Sequence, residues 1–217
     1  MSDRSLLFSP APYHILSYGT LLGTQVFHTF INATTSLRVL QRPQFAILQR
    51  NLFPWYFGIQ TVVPVVLAVT YPGNRTLLGA LEGGSAFADR GLAGALAAAN
   101  RWTVLAPLAT VCVTGLINWA YLLPETNKIT ARRSLQVVWN PILAVGSRFA
   151  NGTVFVCRPP SAEKKDGKRS YDAPPHSEEM AALNKKFGQV HGMSALLNLV
   201  TIVSTVVYGF SLSAAFV

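Results

Sequence analysis

Four stretches of this chain carry no Asp, Glu, Lys or Arg at all: 5–37, 51–74, 102–124 and 187–217. They run for 33, 24, 23 and 31 residues and together take 111 of the 217 positions. Each can hold a helix that crosses a bilayer, which needs about 20 largely apolar residues. Only 12% of the residues are charged, against roughly 25% in ordinary water-soluble domains. A water-soluble fold of this length has too little interior to hide four such stretches.

Backbone groups in hydrocarbon have to be satisfied within the segment, so continuous apolar runs become helices. A membrane β-barrel would instead show alternating segments of about ten residues. The expected fold is therefore all-α: a polytopic membrane protein built as a four-helix transmembrane bundle. Residues 1–217 form a single transmembrane domain with spans near 13–37, 53–71, 102–123 and 188–216. The N-terminal "MSDRSLLFSPAPYHIL" has too long an apolar stretch and no small-residue cleavage site, so it reads as a retained first span.

The second span shows how such a helix begins. "NLFPWYFGIQTVVP" (51–64) packs four aromatics and two prolines without a charge. Pro54 fits a first helical turn, where a missing N–H costs nothing. Phe53, Trp55, Tyr56 and Phe57 fit the aromatic belt at the headgroups. Pro64 predicts a kink in mid-span, and Gln60, one turn earlier, is expected to face the bundle.

Between spans 3 and 4 lies a long loop, 124–187. Its part 158–179, "RPPSAEKKDGKRSYDAPPHSEE", is charged and proline-rich and is expected to be disordered. A short helix from Ser177 leads into span 4. Val137–Ala162 is apolar but interrupted by Asn140, Pro141, Gly146, Arg148 and Gly152; an insertion, a fifth span and a faulty gene model all remain open there. The loops before span 2 and after span 3 hold fourteen Lys and Arg, the opposite side four. The positive-inside rule then makes those two loops cytosolic and both termini non-cytosolic. A sequon at Asn74 falls on the non-cytosolic side, where N-glycosylation is open to it. Two cysteines, Cys112 and Cys157, make neither a disulfide framework nor a zinc pattern.

The chemistry available to the chain sits in polar residues within the spans. Tyr18, Gln25 and Asn32 recur every seven residues, with His14 and Thr29 near the same stripe. Span 4 carries His191, Ser194, Asn198, Thr201 and Thr205 along one face. Span 3 offers Thr110, Thr114 and Asn118, and span 2 offers Gln60. The candidate intramembrane polar cluster is His14, Gln25, Gln60, Asn118, His191, Ser194 and Asn198. His14 and His191 belong to opposite ends of the bundle, so they do not share a metal; Asn118, His191 and Ser194 lie level with one another. No nucleophile, base and orienting acid converge, so no catalytic, cofactor or metal residue is assigned, and no cofactor is expected. Gly19 and Gly23 form a GxxxG match suited to close helix packing, inside the bundle or between two copies.

The stretches "YHILSYGTLLGTQVFHTF", "RPQFAILQRNLFPWYF", "INWAYLLPETNK" and "LNKKFGQVHGMSALLNL", in this order, resemble the transmembrane protein 205-like family, four-span proteins with a domain of unknown function. The resemblance implies an integral membrane bundle and no established reaction; Val137–Ala162 has no counterpart in it. The function expected first is non-enzymatic association in the bilayer, as scaffold, helper or trafficking protein, without nucleic acid. The alternative is a small-solute or metal-complex transporter or channel lined by the polar residues.

Overall fold

The structure is a computed structural model, and it describes residues 9–73, 90–137 and 168–213. Asn74, Cys157, all of Val138–Ala162 and residues 158–167 of the expected disordered part lie outside these. Among the described residues every regular element is helical and there is no strand.

The chain enters α1 (Pro10–Val26) at Ser9, whose Oγ accepts from the Ala11 N–H at 3.4 Å, with Pro10 in the first turn. Helix continues through a π-helical turn, Phe27–Asn32, into α2 (Ala33–Val39). The next helix, α3, runs Arg42–Val69. It starts a dozen residues before Pro54, which the sequence had placed in a first turn. The reason is local: Gln44 Oε1 accepts from the Gln41 N–H at 3.3 Å and Pro43 supplies the preset first turn. Pro54 and Pro64 both lie inside α3.

After α4 (Gly91–Leu96) and a 3-10 turn (Ala98–Asn100), a π-helical turn, Arg101–Leu105, leads into α5 (Ala106–Ile117). Gly91 sits at φ +62°, and its N–H donates to Tyr71 C=O at 2.8 Å. Another π-helical turn, Asn118–Leu122, joins α5 to α6 (Leu123–Val137), and the last helix, α7, runs Glu178–Ser213. Residues 124–137 and 178–187 are therefore helical. The expected loop begins later and ends earlier than the charge pattern placed it, because charged residues end a membrane span without ending a helix.

Three helices are long and apolar enough to cross a membrane: Arg42–Val69, Ala98–Leu135 and Glu178–Ser213. Residues 10–39 are helical as well but fall short of that measure. His14, Gln25, His28 and Asn32 dilute their apolar content.

Residues Met1–Leu123 and Ser194–Val217 form one compact unit, and Pro124–Met193 another. The first unit is turned inside out relative to a water-soluble protein. Trp55 and Phe210 are 75% and 74% exposed, while Gln25, Gln60 and Asn118 are 0% exposed. Val62, Val65, Val113, Leu196, Leu199 and Val203 also face outward. In water that exposed apolar surface would cost about 25 cal/mol per Å²; hydrocarbon removes the cost. This chain is an integral membrane protein.

The apolar core of that unit is Leu21, Leu67, Ala95, Val104, Leu108, Val111, Tyr208 and Leu212. Its closest backbone approach is at Gly115, where a Cβ would lie 2.9 Å from the carbonyl carbon of Gln60. Pro64, lacking an N–H, leaves the Gln60 carbonyl outside the helical ladder, and a side-chain-free residue of α5 closes on that spot. In the second unit Glu125 pairs with Lys186 at 2.6 Å and Lys128 at 3.9 Å, and the Arg133 guanidinium lies 4.2 Å from the Phe187 ring centroid.

Candidate functional site

The buried face of the first helical stretch is His14, Leu21, Gln25 and His28, with Tyr18 half-buried between them. His14 is a structural residue. The Thr70 hydroxyl donates to Val66 C=O at 2.7 Å, so its oxygen accepts from His14 Nδ1–H at 3.0 Å. His14 Nε2 then accepts from the Tyr208 hydroxyl at 2.7 Å. Both ring nitrogens are used, and three helices are tied together at that end.

The main polar group lies further along. The Tyr56 hydroxyl donates to Asn198 Oδ1 at 2.7 Å; Asn198 Nδ2 donates to Thr29 Oγ1 at 3.2 Å; the Thr29 hydroxyl lies 3.0 Å from Tyr56 Oη and completes the circle as donor. A closed ring of this kind polarises each bond in turn. Gln60 Nε2 adds a second donor to Asn198 Oδ1 at 3.0 Å. One turn before Asn198, the Ser194 hydroxyl donates to Asn118 Oδ1 at 2.6 Å. One turn after it, the Thr201 and Thr114 hydroxyls meet at 2.6 Å.

Two of the helical irregularities fall on this group. The Ala33 N–H bonds to His28 C=O, and the Leu123 N–H to Asn118 C=O, five residues back instead of four. Such single π-turns are rare and occur frequently at functional sites. His28 and Asn118, whose carbonyls accept these bonds, both lie at the buried face. The His28 ring packs 4.3 Å from the Tyr56 centroid and 5.2 Å from that of Phe53. Its Nδ1 accepts from Asn32 Nδ2 at 3.0 Å, an amide held in that sense because its Oδ1 accepts from the Ser36 hydroxyl. In neutral His28 the proton therefore sits on Nε2.

Several buried polar atoms of this group find no hydrogen-bond partner among the described residues: Gln25 Nε2 and Oε1, His28 Nε2, Gln60 Oε1 and Asn118 Nδ2. Buried polar groups are normally paired, and an orphan costs about 1–3 kcal/mol.

Of the residues singled out from sequence, Gln25, Gln60, Asn118, Ser194 and Asn198 fall in this part of the first unit. His14 forms its own group. His191 is exposed, its ring stacked on Phe187 with centroids 5.7 Å apart, and it belongs to the second unit. Two participants were missed. Tyr56 was read only as an aromatic-belt residue. His28 completes the 14, 21, 28 row, which runs alongside the 18, 25, 32 row at the same seven-residue period. Among the described residues no group of three or more His, Cys, Asp or Glu is placed to hold a metal ion.

Residues 16–134, just over half of the chain, match the family described as "Domain of unknown function (DUF4149)". The chain belongs to that family. The DUF4149 match covers Gln25, His28, Tyr56, Gln60 and Asn118 and stops before α7, so the helix carrying Ser194 and Asn198 lies beyond it. A protein of Aspergillus fumigatus named "Xanthocillin biosynthesis cluster protein D" is 29% identical over 204 residues, which cover 94% of this chain and 89% of the relative. No solved structure matches.

Proposed function

We propose that this DUF4149 protein is a four-span, transmembrane protein 205-like bundle that acts by association in the bilayer and not as an enzyme. Residues 10–39 serve as the first span, and both termini face away from the cytosol, as the fourteen-to-four bias of Lys and Arg favours. The observation that carries the reading is the placement of Gly19 and Gly23. A Cβ added at either would have nothing within 4 Å among the described residues. That open space favours packing against a second helix from outside over packing within the bundle. The pair sits on an outward stripe with Leu16, Val26 and Phe30, all exposed. Small residues flanked by large ones let a second helix approach closely, and in lipid that packing drives helix association. The occupant proposed is a second copy of the chain, docked helix to helix. The name of the Aspergillus relative puts that protein in a biosynthesis cluster, which suits a helper role beside a biosynthetic enzyme. Disulfide or chemical cross-linking of the full chain in native membranes tests the proposal. Wild type is expected to yield dimer, and Gly19→Leu with Gly23→Leu to yield monomer; equal yields from both overturn it.

A further inference from the structure

The unpaired polar atoms ask for something the glycine stripe does not provide. We propose that Gln25, His28, Gln60 and Asn118 form a binding site inside the bundle for a small uncharged molecule of carboxamide type. Two independent observations carry it. Gln25, Gln60 and Asn118 are 0% exposed and His28 8%, yet each keeps at least one polar atom without a partner among the described residues. Separately, π-helical turns fall at His28 and at Asn118, so the backbone departs from α geometry at two of the four positions.

Contacts relate His28 and Gln60 to the Tyr56 group, and helical spacing sets Gln25 and Asn118 one turn from residues in contact with it. His28 and Gln60 both belong to the surroundings of Tyr56, the first by ring contact and the second through their shared acceptor Asn198. Gln25 lies one turn before Thr29 of the hydrogen-bonded ring. Asn118 lies one turn after Gly115, which abuts Gln60.

The unused groups fix the chemistry of the guest. Gln25 Nε2, His28 Nε2 and Asn118 Nδ2 are donors; Gln25 Oε1 and Gln60 Oε1 are acceptors. A guest needs a carbonyl to take several donors and N–H groups to reach the acceptors, which is the pattern of an amide. It carries no net charge, because 5–37, 51–74, 102–124 and 187–217 contain no Asp, Glu, Lys or Arg to offset one, and an unpaired charge in this medium is strongly disfavoured. Binding of this kind stands apart from association through Gly19 and Gly23, and the two readings fail separately.

The test uses the full chain in lipid nanodiscs, with acetamide as probe and acetate as its charged isostere, read by saturation-transfer NMR. Acetamide is expected to give a saturable signal and acetate none. Gln25→Met, which keeps the length and removes the unpaired groups, and Asn118→Leu are each expected to weaken acetamide binding at least tenfold. Gly19→Leu with Gly23→Leu is expected to leave it unchanged. Helical content and melting by circular dichroism identify folded variants; should Asn118→Leu fail to fold, Gln25→Met decides alone. No saturable acetamide signal, the result for a site that holds water only, overturns the proposal. So does equal binding of acetate, or wild-type affinity in folded Gln25→Met.

Discussion

The Tyr56 hydroxyl donates to Asn198 Oδ1 at 2.7 Å although the two residues stand 142 positions apart in sequence. Through that bond, and the one from Gln60 to the same oxygen, α3 grips α7. Interhelical bonds of this sort average about 0.6 kcal/mol in membranes, so the value of this one comes from its neighbours.

Asn198→Leu removes the acceptor of both Tyr56 and Gln60 and the donor to Thr29. Unfolding in mixed micelles should show a loss of about 2–3 kcal/mol, since several buried groups are orphaned together. Tyr56→Phe and Thr29→Val should each cost about 1 kcal/mol, with the double variant less than additive because the two act in one ring.

Gly115→Ala should destabilise by about 1–3 kcal/mol, because its Cβ would meet Gln60 backbone at 2.9 Å, where nothing flexible can give way. Gly58→Ala has open space around it and serves as the control; it should be neutral or slightly stabilising in the same assay. Equal effects at the two positions would contradict the closeness of α3 and α5.

A Cβ at position 209 would fall on the Tyr18 hydroxyl. Gly209→Ala should therefore lower the melting temperature, and Tyr18→Ala in the same chain should recover part of the loss. The measurement is a thermal melt of the single and double variants, and an additive result would mean that the two residues do not meet.

Sidedness is checked by labelling. With Cys112→Ser and Cys157→Ser as background, Ser170→Cys should react with an impermeant maleimide only from the cytosolic face, and Ser9→Cys only from the opposite one. Reversed labelling would contradict the orientation derived from Lys and Arg.

Much of this architecture was legible in the charge-free windows, because exclusion of charge from hydrocarbon acts at every position of a span. Three windows coincide with helices apolar enough to cross. Asn198, Thr201 and Thr205 were visible as one face of α7, and Gln60 as an inward residue beside Pro64. The misreadings have local causes. Helix α3 begins at Arg42 because a glutamine pair and Pro43 cap it there, twelve residues ahead of Pro54, which with its neighbouring aromatics marks entry into the apolar run. His191 continues the arithmetic of the α7 stripe, but that turn of the helix belongs to the charged second unit. The π-turns leave no mark in periodicity. Each shifts the helical phase of the residues that follow it by one residue, and the choice between bonding four or five residues back is made by tertiary contacts.

Helix α7 supplies Ser194, Asn198, Thr201 and Tyr208 to acceptors and donors on α1, α3, α5 and the π-helical turn after α5. It also leaves the ribosome after each of the helices it bonds. Until it inserts, a nascent chain holds Tyr56, Gln60, Asn118 and His14 in lipid with their eventual companions still untranslated. Assembly of this bundle thus waits on α7, and a chain truncated before residue 194 would present the cell's membrane quality control with a row of polar groups deprived of their interhelical partners on that helix.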